Sequence, residues 1–257
     1  MAAKTIVITG ASGGIGAALA VQLGAAGHQV ALAARREAAL NEVASRCVGG
    51  AIAVVTDVTR RDDVERLRDR ALVAFGHVDV WVNNAGQGIT RPVLDLKDDE
   101  FDAIMAVNVK SALYGMQAIA PHFIQRGRGH IINVSSLLSR VPFATFRSAY
   151  NAAKAALNAL TANARVDLAA KYPDIHVSLV IPGLVATEFQ KNAIGGTPQL
   201  RVGTAPGIQT ADEVGTAIGA LIAFPRAEIY TNPQHAPIVL KYFTDVGAFE
   251  RENPSAR

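Results

Sequence analysis

Thr5-Ile6-Val7-Ile8-Thr9-Gly10-Ala11-Ser12-Gly13-Gly14-Ile15-Gly16-Ala17-Ala18-Leu19-Ala20-Val21-Gln22-Leu23 decides the fold. Thr5–Thr9 is an apolar, β-branched run of the length of a buried strand. The glycine-rich turn follows at once. Ala17–Leu23 then reads as a helix that ends near Gly24 to Gly27. A strand, a glycine-rich turn and a helix together make a phosphate-binding frame. Gly10 permits the tight turn, Gly14 lets backbone approach a pyrophosphate, and Gly16 lets the helix pack on the strand. Ser12 and Ile15 lie in the same turn, and the helix's first amides face the anion. The spacing is G-x-x-x-G-x-G.

The same rhythm continues along the chain. Strands are predicted at 4–9, 29–34, 51–56, 78–82, 129–134, 175–181 and 227–230. Helices are predicted at 14–26, 36–46, 60–75, 98–126, 148–171 and 210–224. Strands alternating with helices imply an α/β fold, a doubly wound and mainly parallel seven-stranded sheet with helices on both faces. Residues 1–257 read as one domain. The long irregular stretch from Gln190 to Gln209, rich in Gly and Pro, reads as part of a substrate lid over 184–209. The tail over 232–257 follows no familiar pattern.

Composition narrows the class. Half of the residues are hydrophobic, as expected when strands are buried on both faces. Cys47 is the only cysteine, so no intramolecular disulfide forms and a reducing, cytoplasmic setting is expected. Cys47 reads as a half-buried helix residue. No apolar run reaches the length of a membrane span, and Lys4 and Thr5 do not open a signal peptide. The net charge is +3. Basic residues are scattered or, around 66–70, interleaved with acids as on a solvated helix face, so nucleic acid is not an expected partner. The histidines at 28, 77, 122, 130, 176 and 235 show no metal-ligand spacing and read as surface or loop residues. No metal is expected.

Tyr150-Asn151-Ala152-Ala153-Lys154 carries the chemistry. On a helix, residues i and i+4 share a face. An ammonium beside a phenol favours the phenolate and lowers the phenol's pKa, so the pair can pass a proton to or from an alcohol. The glycine-rich TGASGGIG, Asn83-Asn84-Ala85-Gly86, Asn108, Ser135-Ser136, Tyr150-x3-Lys154 and Pro182-Gly183 stand in the order of the short-chain dehydrogenase/reductase family. The chain resembles that family from about Thr5 to Thr187 and more loosely to Tyr230. It departs after Ala227-Glu-Ile-Tyr-Thr231, where the family's usual Val-Asp-Gly-Gly turn is absent.

The resemblance implies a Rossmann-type oxidoreductase. Tyr150 is then the proton donor in reduction and the base in oxidation. Lys154 tunes it and holds the nicotinamide ribose, and Ser136 donates to the carbonyl oxygen. Ser135 competes with Ser136, because Ser136 and Tyr150 stand fourteen positions apart, one more than usual. Asn108 holds a relay water. The cofactor is expected to meet Gly10, Ser12, Gly14, Ile15, Gly16, Asp57, Val58, Asn84, Ala85, Gly86, Pro182, Gly183, Val185 and Thr187, with Asn83 beside the ribose and Thr187 at the carboxamide. Asp57 also reads as a turn or N-cap residue. The second strand ends at Ala34, where NAD-preferring proteins carry an acid, and Arg35 and Arg36 follow. An arginine fork binds a 2′-phosphate, so NADP(H) is expected. Arg35 is the favoured reader, and Arg36 can instead face solvent on the next helix.

Leu137, Leu138, Val141, Phe143, Phe146, Leu184 and Phe189 form an expected apolar substrate wall, which suits a hydrophobic ketone, aldehyde or secondary alcohol. Some of them read equally as core. The expected activity is an NADP(H)-dependent carbonyl reductase or alcohol dehydrogenase. The alternatives are a 3-oxoacyl thioester reductase and a nucleotide-sensing module without catalysis. A homodimer or homotetramer is expected through helices 98–126 and 148–171, which are rich in small residues such as Ala152, Ala153, Ala155, Ala156 and Ala159.

Overall fold

The computed structural model describes residues 2–196 and 207–253. Its strands are β1 (Thr5–Thr9), β2 (Gln29–Ala34), β3 (Ala51–Val55), β4 (Val80–Asn83), β5 (Gly129–Val134), β6 (Ile175–Ile181), β7 (Val185–Ala186), β8 (Gln209–Thr210) and β9 (Glu228–Tyr230). Seven of them form one sheet in the order β3-β2-β1-β4-β5-β6-β9, and every neighbouring pair is parallel. The helices are α1 (Gly14–Ala25), α2 (Glu37–Ser45), α3 (Arg61–Phe75), α4 (Asp98–Met105), α5 (Ser111–Arg126), α6 (Ser148–Ala169), α7 (Ala211–Ala223), α8 (His235–Thr244) and α9 (Val246–Glu252).

Successive strand side chains point to opposite faces, and the core divides accordingly. Ile6, Ile8, Val30 and Leu32 pack with Leu19, Leu23, Val214 and Ile218 of α1 and α7. Val7, Ala31, Trp81 and Ile131 pack with Leu67, Met116, Ile119 and Phe123 of α3 and α5. Strand order reverses between β1 and β4, since β1 pairs with β2 on one side and β4 on the other. In an open parallel sheet a ligand crevice opens outside the carboxyl ends of the strands at such a switch point.

The structure departs from the sequence reading in three elements and at several single residues. The predicted helix 98–126 is interrupted by a π-helical stretch, Ala106–Lys110. The predicted tail contains α8 and α9, and its last residues, 254–257, lie outside the described residues. In the predicted lid, Val185 and Ala186 pair with Gln209 and Thr210, while 197–206 lie outside the described residues. Cys47 follows α2 and is buried rather than half-buried, and burial pushes its thiol pKa up. His130 and His235 lie in β5 and α8 and are buried rather than on the surface or in loops, while His28 is a loop residue, as expected, and also buried. His130 Nε2 meets Ser178 Oγ at 2.7 Å.

Candidate active site

The glycine-rich turn is shaped by the end of β4. Gly10 has φ +68°, and a Cβ there would lie 2.8 Å from Ala85 Cα. A Cβ at Gly16 would lie 2.4 Å from the Gly10 carbonyl oxygen and 2.6 Å from Asn84 Nδ2. Asn84 Nδ2 donates to Thr9 O at 2.9 Å. Thr9 Oγ1 accepts from Asn84 N and Ala85 N at 3.0 and 3.1 Å. The Asn84 side chain therefore clasps the turn. Asn83 faces the other way: its Oδ1 accepts from Trp81 Nε1 at 2.8 Å and its Nδ2 donates to Asn133 Oδ1 at 2.8 Å. The expectation that Asn83 lines a ribose is corrected, because it lies inside the packing of α5 on the sheet.

Helix α1 starts at Gly14 with no side-chain cap and no acid in its first turn. Its leading amides are left for an anion. Arg36 Nη2 reaches back to Ser12, 3.2 Å from both its O and its Oγ. Both arginines are exposed, and it is Arg36 that reaches the turn. Thr187 closes the turn from above, its Cγ2 3.3 Å from the position of a Gly14 Cβ. Ile15 packs against the core, as does Val185, and Val58 is buried. Asp57 Oδ1 accepts from Thr59 N and Oγ1 at 3.0 and 2.7 Å, which is the turn arrangement.

The Ser136 and Tyr150 hydroxyls stand just past the end of β5 and in the first turn of α6. Tyr150 is buried, and Ser136 is near enough to draw the pKa of its hydroxyl down, while Ser136 Oγ accepts from Leu138 N at 3.2 Å. Ser135 turns inward, donating to Asn158 Oδ1 at 2.6 Å. The adjacent serines thus separate by the alternation of an extended chain. Lys154 Nζ donates to Val134 O at 2.9 Å and lies 5.7 Å from the Tyr150 ring centroid. Burial pushes Tyr150 up to about 12, against the pull of Ser136 and the Arg147 charge. Burial pushes Lys154 down to about 8. The expected lowering of Tyr150 by Lys154 is corrected: the ammonium is engaged by a carbonyl, and desolvation dominates.

Asn108 sits in the π-helical stretch. Its Nδ2 donates to Gln87 O and Ile104 O at 2.9 and 3.0 Å, and its Oδ1 accepts from Gln87 N at 3.3 Å. A Cβ on Gly86 would lie 2.9 Å from Asn108 Oδ1 and 3.5 Å from Lys154 Nζ. Gly86 therefore leaves a small polar space between the two.

The apolar wall divides. Leu138 and Phe189 pack on the Tyr150 cluster, with the Phe189 and Tyr150 ring centroids 5.4 Å apart. Leu137, Val141 and Phe143 belong to a separate cluster with Val239 and Phe249, and the Phe143 and Phe249 centroids are 5.8 Å apart. Phe143 thus meets the tail rather than Tyr150. Phe146 lies under the Arg147 guanidinium, 5.6 Å away. Pro182 O accepts from Leu137 N, and Leu184 O from Gln209 N. Two residues that no motif flagged join the site. His235 packs on Gly183, its Cε1 2.2 Å from the position of a Cβ there. Arg147 is buried three residues before Tyr150. The only sequence signal for Arg147 was its place next to Ser148-Ala-Tyr150. Among the described residues, no group of three His, Cys, Asp or Glu side chains could hold a metal ion, and no helix is long and apolar enough to cross a membrane.

The chain matches the short chain dehydrogenase family over residues 4–196. An uncharacterized oxidoreductase of Staphylococcus epidermidis is 35% identical over 184 residues, 72% of this chain and 79% of the relative. A crystal structure of a short chain dehydrogenase/reductase from Burkholderia phymatum in complex with NAD has a TM-score of 0.86 at 27% identity, covering 99% of this chain and 97% of that one. A short chain dehydrogenase from Burkholderia cenocepacia in complex with NADP has a TM-score of 0.81 at 28% identity, covering 99% and 98%.

Proposed function

The chain belongs to the short-chain dehydrogenase family, and we propose that it is an NADP(H)-dependent reductase of apolar ketones and aldehydes, or in reverse an NADP+-dependent dehydrogenase of the matching alcohols. The observation that carries the reading is the joint burial of Ser136, Tyr150 and Lys154, with Lys154 one turn along the same helix as Tyr150, in a fold whose helix α1 has an uncapped N-terminus. The donor set suits the cofactor: free amides at α1 accept a pyrophosphate. Ala34 brings no acid to repel a 2′-phosphate, and Arg36 over Ser12 supplies a fork for it. Gly10, Gly14, Gly16, Ala85, Gly86, Gly183 and Thr187 would surround the rest. NADPH, when bound, supplies the hydride that the carbonyl carbon receives.

Tyr150 then gives its hydroxyl proton to the carbonyl oxygen as the C–H bond forms, and in oxidation its oxygen takes that proton back. With its pKa near 12 before ligands enter, Tyr150 is a protonated donor at neutral pH. Ser136 donates a second hydrogen bond to the same oxygen and stabilises the charge that develops there. Lys154, close to titration at neutral pH, returns the proton to Tyr150 from the polar space at Gly86, where Asn108 holds the connecting water. Leu138 and Phe189 supply apolar contact for the substrate. Ala152, Ala155 and Ala159 are exposed on α6 and offer a smooth face for pairing with a second copy.

The test is purified protein with NADPH or NADH against acetophenone, cyclohexanone and a set of aliphatic aldehydes, followed by loss of reduced-cofactor absorbance. We expect NADPH to be consumed, and faster than NADH. No consumption of either across the panel contradicts the reading.

A further inference from the structure

We propose that Arg147 is a positioning residue of this reaction: its buried guanidinium is the charge that steadies the Tyr150 oxygen whenever that oxygen is without its proton. The inference rests on the assignment of Tyr150 under the proposed function.

Arg147 stands just before α6 and is 2% exposed. Its Nη1 donates to Ile89 O at 3.0 Å, and its Nη2 donates to Gln190 Oε1. A Cβ on Gly88 would lie 2.6 Å from Nη1, so the chain leaves room for the guanidinium there. The Phe189 ring neighbours both groups, its centroid 5.9 Å from Arg147 Cζ and 5.4 Å from that of the Tyr150 ring. Both hydrogen bonds go to neutral acceptors. Among the described residues, no carboxylate pairs with Arg147.

A buried cation without an acid is costly, and buried charges are ordinarily paired. Other charges on the surrounding elements are engaged elsewhere. Arg91 pairs with Glu100, Arg140 with Glu228 and Glu188 with Lys191, and Lys154 donates to Val134 O. The charge that does draw on Arg147 is that of Tyr150: burial lowers the guanidinium's pKa, and an ionised Tyr150 raises it. The influence is mutual, since Arg147 lowers Tyr150. The missing counter-charge of Arg147 is thus the phenolate that forms when Tyr150 has given up its proton.

The test is the pH profile of kcat/KM for oxidation of 1-phenylethanol by NADP+, with the full-length protein. Its acid limb reports the phenolate that accepts the alcohol's proton, so a weaker neighbouring cation moves the limb to higher pH. Arg147→Met should move it up by about 0.5 to 1 pH unit, and Arg147→Lys should restore it. Gln190→Glu sets a carboxylate on the guanidinium without removing it and should move the limb the same way, which decides the matter if Arg147→Met does not fold. Gln190→Ala breaks only the hydrogen bond and should leave the limb in place. An unmoved limb in both Arg147→Met and Gln190→Glu, in an active protein, overturns the inference and leaves Arg147 as a structural tie. Wild-type protein idle on this and every other alcohol overturns the reading of function, and the inference falls with it.

Discussion

Replacing Arg36 with alanine should separate the two nicotinamide cofactors. The guanidinium is exposed at the end of β2 and bends 3.2 Å from Ser12 O and Oγ, over the uncapped start of α1. Bound to NADPH, it would exchange these neutral acceptors for a dianionic phosphate. A hydrogen bond to a charged partner contributes about 1.5–3 kcal/mol. Solvent screening favours the lower end for an exposed group, so Arg36→Ala should weaken NADPH roughly 10- to 30-fold. NADH has no 2′-phosphate and should change by no more than about twofold. Replacing Arg35, which is exposed, should cost NADPH about threefold. Titration of cofactor fluorescence against each variant measures all four numbers. Equal losses for NADPH and NADH in Arg36→Ala, or a full loss carried by Arg35→Ala alone, would refute the reasoning.

Ser136→Ala should lower kcat by about two to three orders of magnitude, whereas Ser135→Ala should lower the melting temperature with kcat within a few-fold, because Ser135 bonds Asn158; steady-state kinetics and thermal melts distinguish them. Gly16→Ala forces a Cβ to 2.4 Å from Gly10 O and should cost about 1–3 kcal/mol in urea unfolding; an unchanged midpoint contradicts the packing. Lys154 is near 8 folded and 10.5 unfolded, so between these values the unfolded chain holds more protons and stability rises with pH. Tyr150, near 12 folded and 10.0 unfolded, acts oppositely above pH 10. From pH 7.5 to 9.5 the wild type should therefore gain on the order of 2 kcal/mol relative to Lys154→Met, read from urea midpoints at the two pH values; no relative gain contradicts the burial of the amine.

The sheet was legible because its strands are short Val-, Ile- and Ala-rich runs between glycine turns, and each predicted strand is present to within two residues. The helix at 98–126 was legible in extent but not in its π-helical stretch, since periodicity cannot register one extra residue per turn. Side-chain direction was the harder matter. Asn83 shares a face with Trp81 two positions earlier, so strand alternation already pointed it into the α5 packing; the motif's usual reading hid that. Ser136 over Ser135 follows from the same alternation. That Arg36 rather than Arg35 meets Ser12 depends on how the chain leaves β2, which adjacent arginines in a sequence do not record. The pKa of Tyr150 depends on burial and on where Lys154 Nζ points, and neither is written in a four-residue spacing. The tail's contact through His235 with Gly183 joins residues too far apart for any local pattern.

The central claim is that the Tyr150 hydroxyl carries the proton of a hydride-transfer reaction. Tyr150→Phe keeps the ring that Phe189 packs on and removes only the hydroxyl. NADPH consumption with the best ketone of the panel should show kcat lower by about two to four orders of magnitude, with NADPH affinity within about threefold of wild type. Turnover near the wild-type value in that single variant would contradict the account.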